Sequence, residues 1–270
     1  MKLYKAGNSI CTQKVFITLD EKGLDYDTHN INLFDNEQFD PEYLKLNPKG
    51  VVPTLVDDGK VIVESTLICE YLEDICPEPS LAPDDAYGKA RMRVWSKYVD
   101  EGIFEATREL SFSAMFREKM KSMPEEKRRQ RFKSAGDATR GARFKSTFEE
   151  GTESPYVFQA VANFEKLFKN LEQALDEADG PWILGETYSL ADINLMPYVA
   201  RMEYLTLLDV WIAGRPLSEA WWARAKERPS FQECVPGRLT EDDISSMGET
   251  GARIRDRVAE RRREYLDGLQ

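Results

Sequence analysis

Residues 47–56 read NPKGVVPTLV, and residues 61–72 read VIVESTLICEYL. Asp57-Asp58-Gly59 lies between them and is typical of the turn of a β-hairpin. A strand opened by Pro53 is unusual, because proline cannot donate a hydrogen bond within a sheet. A cis Val52–Pro53 bond at a tight turn accounts for the proline. The two stretches therefore predict strands over residues 51–56 and 61–63, followed by a helix that reaches residue 75.

The first 33 residues predict a strand, a helix and a second strand. A β-like run covers residues 2–6, and apolar residues recur at helical spacing from 11 to 22. Gly23 is expected to end this helix as a C-terminal cap. Apolar and polar residues alternate over 24–33, which is typical of a strand. With the hairpin and its helix, the order becomes βαβ, ββ and α. Because strand–helix–strand units pack with a right-handed crossover, the order predicts a thioredoxin-like α/β layer.

Beyond residue 76 the pattern becomes helical. Residues 77–85 hold three prolines and indicate a linker between domains. Amphipathic patterns predict helices over 90–110, 157–178, 190–208 and 218–228, and residues 241–270 predict an exposed terminal helix open to fraying. The sequence thus predicts an α/β domain over residues 1–76, a linker over 77–86 and an all-helical domain over 87–270.

Composition excludes several classes of function. The 270 residues carry a net charge of −11, which argues against electrostatic binding to nucleic acid or to an anionic membrane. No apolar run approaches the length of a membrane span, and the first residues lack the apolar core of a signal peptide, so we expect a cytoplasmic protein. Four dispersed cysteines and one histidine predict no metal site. Any reaction that the protein catalyses is therefore expected to depend on a thiol or cofactor that it binds from solution.

Residues 117–145 form a long basic stretch in this acidic chain. They hold eleven Lys or Arg residues against four Asp or Glu residues. One interpretation is a solvated, partly helical insertion between two long helices. The other is a mobile flap over a substrate mouth that attracts anions. The role of this stretch stays open.

Two short motifs could bind a small peptide. A cis turn leaves the N–H and C=O of Val52 free to pair with an extended peptide as a further strand. Ser65 is expected to cap the following helix, where its hydroxyl and N–H could bind a carboxylate while Glu64 pairs with an ammonium group. The structural alternatives are an edge-strand proline and a plain helix cap.

The turn before the first helix could stabilise a thiolate. The positive end of a helix favours a negative charge by about 0.3–1 kcal/mol. Four side chains are candidates for the contact with sulfur: Ser9, Asn8, Cys11 and Thr12. Farther along, Ser189-Leu190-Ala191-Asp192 has the spacing of a capping box, for which we expect a structural role.

Taken together, these motifs resemble those of the glutathione S-transferases, and the resemblance extends over nearly the whole chain. It implies a thioredoxin-like domain followed by an all-helical domain, with glutathione as cofactor. In the family, the residue matching Val52, at the turn with Pro53, pairs with the cysteinyl backbone of glutathione. The residues matching Glu64 and Ser65 hold the γ-glutamyl end.

The resemblance also implies the remaining site residues. The residue matching Ser9 is the thiolate-stabilising serine of the serine-type classes, with Asn8 in support. Lys49 and Lys14 are weaker candidates for contact with the glycyl carboxylate or for the charge balance of the site. The resemblance further implies a dimer, whose partner is either an identical chain or a paralogue.

Within the family, several stretches look most like the bacterial β-aryl etherases that act on lignin fragments. These include Gly7-Asn8-Ser9, Asp58-Gly59-Lys60-Val61 and residues 64–74 and 92–101. The implied substrate is a small aromatic electrophile, and its implied pocket in the second domain has six candidate side chains: Trp95, Phe104, Phe112, Met115, Phe116 and Tyr204. Each also has the spacing of a helix core residue.

Other functions remain open. Ile10-Cys11-Thr12-Gln13-Lys14 resembles the serine/cysteine turn of isomerase-type and general bacterial transferases. An isomerase, a dehalogenase or a general conjugating transferase would use the same first domain. A non-catalytic glutathione-binding module of this fold is the third alternative, since fold alone does not determine function.

Overall fold

The computed structural model describes residues 1–33, 35–126, 128–129 and 138–269. Parts of the basic stretch over residues 117–145 lie outside these ranges, so both interpretations of it remain predictions. The chain forms two compact units. The first comprises Met1–Lys97, Ala174–Pro197 and Ala220–Thr240, and the second comprises Tyr98–Gln173, Tyr198–Glu219 and Glu241–Gln270. The predicted linker over 77–86 lies within the first unit, and the domain boundary there stays a prediction.

The first unit contains a four-stranded mixed sheet. Its strands are β1 (Lys2–Lys5), β2 (Asp27–Asn30), β3 (Thr54–Asp57) and β4 (Lys60–Val63). The order is β2-β1-β3-β4, with β1 parallel to β2 and antiparallel to β3, and β3 antiparallel to β4. This topology confirms the predicted α/β layer.

Helices make up most of the rest of the described chain. They are α1 (Ile10–Glu21), α2 (Pro41–Leu46), α3 (Ser65–Ile75), α4 (Ala86–Tyr98), α5 (Phe104–Ser111), α6 (Arg117–Lys121), α7 (Ala138–Glu150), α8 (Pro155–Glu177), α9 (Leu190–Tyr204), α10 (Asp209–Ile212), α11 (Pro216–Glu227), α12 (Pro229–Cys234) and α13 (Glu241–Asp267). The predicted helix-rich second half is confirmed.

Turn chemistry explains where the first elements end. Asp58 and Gly59 have φ angles of 47° and 74°, which a two-residue hairpin turn of this kind requires. Gly23 has a φ of 60° just beyond α1, as its predicted capping role demands. The second strand is shorter than the predicted residues 24–33, because β2 pairs with β1 alone and β1 has only four residues. The short helix α2 was not predicted.

The predicted helix over residues 90–110 is interrupted. A π-helical segment, Val99–Ile103, separates α4 from α5, and a second one, Phe112–Phe116, separates α5 from α6. Each such turn accommodates an extra residue and changes which side chains face the interior. Three of the predicted pocket residues, Phe112, Met115 and Phe116, lie in the second π-helical segment.

Asp192 organises the start of α9 within the first unit. Its carboxylate accepts hydrogen bonds from the N–H of Ile183 and Ser189, from the Ser189 hydroxyl and from Trp221 Nε1, at 2.9–3.2 Å. The side chain is fully buried, and burial raises its pKa to about 6. These contacts agree with a structural role.

The terminal helix α13 is packed rather than frayed. Within the second unit, Arg262 bonds to Glu165 on α8 at 2.6 Å, and Arg257 bonds to Glu153 through two nitrogens at 2.6 and 2.7 Å. A Cβ on Gly251 would overlap the carbonyl oxygen of Leu205. The expectation of fraying was therefore wrong, because these partners lie far away in sequence and no local pattern predicts them.

Candidate glutathione site

Three short segments of the first unit meet at one end of its sheet. Tyr4 of β1 is opposite Thr54 of β3, and Thr54 is opposite Val63 of β4. The segment leading from β1 to Ser9, the turn entering β3 and the Glu64 junction leaving β4 therefore lie side by side. The strand register thus brings Tyr4 and Val63, which are 59 residues apart in the sequence, to the same end of the sheet.

Ser9 is the N-cap of α1. Its backbone is extended, and its hydroxyl oxygen accepts a hydrogen bond from the N–H of Thr12 at 3.4 Å. Accepting this bond leaves the hydroxyl proton available for donation to another group. Ser9 and the preceding Asn8 are partly exposed. A donor proton at the positive end of a helix is suited to an anionic sulfur.

Cys11 and Thr12, the other candidates in this turn, differ in exposure. Cys11 is partly exposed, whereas Thr12 is fully buried. The Thr12 hydroxyl makes no hydrogen bond to any residue within the described ranges. Ser9 and Asn8 therefore have more access to solvent than Thr12.

The turn at Val52 is held by a buried network. The Val52–Pro53 bond is cis, as its position predicts. The Val51 carbonyl accepts bonds from Tyr43 Oη at 2.6 Å and from Asn47 Nδ2 at 3.0 Å, and both groups also contact Thr54 Oγ1 at 3.0 Å. Among the residues that the structure describes, none hydrogen-bonds to the N–H or C=O of Val52. Sequence reasoning missed the supporting residues Tyr43 and Asn47.

Glu64 corrects one prediction. The N-cap of α3 is Glu64, not Ser65, and Ser65 is the first residue of the helix. Glu64 has a φ of 70°, a region that a non-glycine residue rarely adopts and that is enriched at ligand-binding sites. Its carboxylate forms an ion pair of 2.7 Å with Lys49, and both side chains are exposed. Ser65 remains at the positive end of the helix, where its N–H is available to an anion.

Lys14 lies inside the first unit. Its side chain is fully buried on α1, and its ammonium group donates a 2.8 Å hydrogen bond to Thr66 Oγ1 on α3. Thr66 follows Ser65 directly. The structure therefore places the Lys14 amine beneath the start of α3 rather than on the surface.

The predicted pocket residues are divided between the two units. Trp95 lies on α4 in the first unit, whereas the other five lie in the second. Phe112 is buried against Phe144, with ring centroids 5.4 Å apart. Met115 contacts Arg201 on α9, whose Nη1 is 4.0 Å from the Met115 sulfur. Arg201 was not predicted, although a cation among the apolar residues of α9 was a visible signal.

Two features are absent from the residues that the structure describes. No group of three or more His, Cys, Asp or Glu residues is arranged to hold a metal ion. No helix among them is both long and apolar enough to cross a bilayer.

Comparison with known proteins identifies two family segments. Residues 8–75 match the model of the glutathione S-transferase N-terminal domain, and residues 129–224 match that of the C-terminal domain. The first segment contains the three motifs at the end of the sheet. Glutathione is the co-substrate of this family.

LigF of Sphingobium sp. strain SYK-6 is a similar protein. One segment is 48% identical over 103 residues, which is 37% of this chain and 40% of LigF. The solved structure of β-etherase LigF superposes with a TM-score of 0.76 at 29% identity, over 87% of this chain and 98% of LigF.

Two further relatives match over most of their length. A zeta-class glutathione S-transferase of Euphorbia esula is 31% identical over 88% of this chain and 91% of its own. The tetrachloro-p-hydroquinone reductive dehalogenase of Sphingobium chlorophenolicum is 30% identical over 86% of this chain and 94% of its own. Both family models and these relatives show that the chain belongs to the glutathione S-transferase family.

Proposed function

We propose that the chain is a glutathione-dependent β-etherase that cleaves aryl ethers of lignin-derived aromatic ketones. The glutathione thiolate attacks the carbon that carries the aryl ether next to the ketone. A carbon–sulfur bond forms, the carbon–oxygen bond breaks, and the phenolate leaves with the electron pair and takes a proton from solvent. The similarity to LigF in sequence and in structure supports this choice of substrate.

In this proposal the end of the sheet binds glutathione. The backbone of Val52, at its turn with Pro53, pairs with the cysteinyl residue, and Ser65 binds the γ-glutamyl carboxylate. The ammonium group of glutathione pairs with Glu64. This pairing competes with the Lys49–Glu64 ion pair and releases Lys49 to meet the glycyl carboxylate. Lys14 contributes positive charge beneath Ser65.

Ser9 is the proposed thiolate-binding residue, with Asn8 in support. The observation that carries this role is the hydrogen bond from the Thr12 N–H to Ser9 Oγ, which directs the hydroxyl proton away from the helix. A hydroxyl that donates to sulfur lowers the thiol pKa and keeps the thiolate aligned for attack. In the second unit, the proposed pocket side chains for the aromatic electrophile are Phe104, Phe112, Met115, Phe116 and Tyr204.

The test is a direct assay of ether cleavage. Purified protein is incubated with glutathione and a guaiacyl β-aryl ether ketone, and the remaining substrate is resolved on a chiral column while guaiacol is quantified. We expect glutathione-dependent release that falls at least tenfold in Ser9→Ala and remains in Ser122→Ala, an exposed serine of the second unit. Absence of release from wild-type protein that still binds glutathione would overturn the etherase proposal.

A second candidate is an isomerase or dehalogenase reaction of the same thiolate. Cys11 lies two residues after Ser9 and is partly exposed, and the zeta-class and dehalogenase relatives match over most of the chain. If this alternative holds, the Cys11→Ala variant turns over maleylacetone or a chlorinated hydroquinone more slowly than wild type. If the protein is an etherase, the same variant releases guaiacol as fast as wild type. Glutathione binding without turnover on any of these electrophiles supports a non-catalytic module instead.

We further propose that the protein acts as a cytoplasmic dimer, with an identical chain or a paralogue as partner. Five large apolar side chains of the first unit are exposed to between 41% and 75%: Val61, Leu67, Ile75, Tyr87 and Val94. The proposal assigns these side chains to the contact between the subunits, where they would be buried.

A further inference from the structure

The terminal helix α13 has few buried side chains for its length. Three of its 27 residues are buried: Met247, Gly251 and Val258. Gly251 contributes no side chain, because a Cβ there would overlap the Leu205 carbonyl oxygen. In most proteins a helix is stabilised mainly by packing of its apolar face, which here has two fully buried side chains.

Arginines of α13 provide a second kind of attachment. Four of them contact acceptors outside the helix but within the second unit: Arg255 to Asp209, Arg257 to Glu153, Arg261 to the carbonyls of Thr152 and Glu153, and Arg262 to Glu165. The last three contacts have distances of 2.6–3.2 Å. In each contact the cation lies on α13, so all four attract the helix to the rest of the unit.

Two of these ion pairs lie at the surface, where salt screens them. The side chains of Asp209 and Glu153 are both 56% exposed. Hydrogen bonds from Arg257 hold the pKa of Glu153 below its ordinary value, so both members of that pair are charged at neutral pH. Attraction between exposed charges weakens as the Debye length falls from about 10 Å at 0.1 M salt to about 3 Å at 1 M. The attachment of α13 therefore depends on ionic strength.

The helix α13 packs against the second π-helical segment, Phe112–Phe116. Phe112, Ser113 and Ala114 of that segment are buried. A π-helical turn is rare and is often found at functional sites. The second π-helical segment is thus covered by a helix that is held largely by charge.

We propose that α13 is an ionic strap, which opens as one unit when its ion pairs are screened and thereby exposes the second π-helical segment while the rest of the second unit stays folded. Elements with few buried apolar contacts are the ones that open locally in native proteins. Phe112, Met115 and Phe116, three of the proposed pocket side chains, lie in the segment that opening exposes. The strap does not depend on the proposed reaction, and its test needs neither glutathione nor an electrophile.

The test is hydrogen–deuterium exchange of the full-length protein, followed by mass spectrometry of its peptides. Exchange is compared at one pH in about 0.05 M and about 1 M NaCl. We expect peptides from α13 and from residues 112–116 to exchange about tenfold faster at high salt, because several ion pairs are screened together. Peptides from residues 157–171 of α8, in the interior of the second unit, keep their rates.

Two variants separate the ion pairs from general effects of salt. Glu153→Gln removes the carboxylate that Arg257 contacts and leaves the sequence of α13 unchanged. We expect it to speed exchange in α13 about threefold at low salt and to reduce the further effect of salt. Arg263→Gln makes a matched change at an exposed arginine of α13, and it keeps the wild-type rates.

Three outcomes overturn the inference. Equal exchange of α13 at the two salt concentrations shows that apolar packing alone holds the helix. Acceleration of residues 157–171 to the same degree shows that the whole second unit opens. Faster exchange of α13 with unchanged exchange of residues 112–116 shows that the strap does not protect the second π-helical segment.

Discussion

The ammonium group of Lys14 donates a hydrogen bond of 2.8 Å to Thr66 Oγ1, and both side chains are buried. The contact joins the N-terminal halves of α1 and α3; the proposed thiolate-binding residue caps α1, and the proposed γ-glutamyl-binding residue opens α3. The relative position of Ser9 and Ser65 therefore depends on an interior contact that does not itself reach the ligand.

Lys14→Met tests this dependence. Methionine fills a similar volume but cannot donate the hydrogen bond to Thr66, so we expect glutathione affinity to fall about fivefold, equivalent to the loss of one hydrogen bond. The control is Lys22→Met, which removes a buried lysine at the other end of α1 that pairs with Glu73. Lys22→Met lowers the melting temperature but leaves glutathione affinity unchanged. Equal affinities for wild type and Lys14→Met would refute the positioning role.

Tyr43→Phe tests the network beneath the Val52 turn. The change removes a hydroxyl that contacts the Val51 carbonyl and Thr54. We therefore expect the free energy of unfolding to fall by about 1–2 kcal/mol. Because the turn is then less well held, the Michaelis constant for glutathione rises more than kcat falls. Tyr71→Phe removes a hydroxyl bonded to Asp57 at the hairpin end of β3 and serves as the comparison. A similar rise in that Michaelis constant for both variants would contradict the prediction.

Asp192 predicts a pH dependence of stability. Its pKa in the folded protein is raised from the ordinary 3.8 to about 6 by burial. The folded state thus binds the Asp192 proton more tightly than the unfolded state, and this contribution to stability is present at low pH and is lost as pH rises from about 4 to 6. Urea unfolding at pH 4.5 and pH 7 measures it, with Asp192→Asn as the variant that cannot titrate.

Asp192→Asn is also expected to weaken the fold at pH 7. Each carboxylate oxygen of Asp192 accepts hydrogen bonds from two donors. In asparagine the amide NH₂ replaces one of these oxygens and faces two donors, so we expect the free energy of unfolding to fall by about 1–3 kcal/mol. Activity per folded molecule is retained, since Asp192 has no proposed role in chemistry. A pH dependence identical to that of wild type would show that other carboxyl groups account for it.

Leu67→Glu tests the proposed dimer. Leu67 on α3 is 55% exposed, and a charge at a buried contact between subunits is costly. We expect light scattering after gel filtration to show a dimer for wild type and mostly monomer for Leu67→Glu. Leu269→Glu introduces the same charge at a leucine of the second unit that is 67% exposed, and it leaves the mass unchanged. A monomeric wild type would end the dimer proposal.

Local chemistry made much of the first unit predictable from sequence. Pro53, Gly23 and the turn at Asp58 and Gly59 each restrict the backbone at their own position, and the structure has the predicted conformation at all of them. Ser65 was misassigned by one residue because Glu64 adopts a positive φ that sequence gives no reason to expect. The length of β2 depends on its partner strand, which no local pattern reports.

Contacts between distant residues were the part that the sequence did not predict. The Asn47 and Tyr43 network depends on where the chain returns at Thr54, and the burial of Arg201 depends on the packing of the second π-helical segment near α9. The packing of the terminal helix α13 likewise depends on distant acidic residues. Its Arg262 bonds to Glu165, which lies 97 residues earlier in the sequence.

The contact of Gly251 with the Leu205 carbonyl offers a criterion for comparing homologues. Any side chain at this position would displace α13 from the end of α9, because the carbonyl belongs to the backbone and cannot rotate away. A homologue with alanine or a larger residue aligned to Gly251 must therefore hold its last helix farther out or lack it. One position in a sequence can thus sort related proteins by the arrangement of their carboxyl-terminal segment before any further structure is determined.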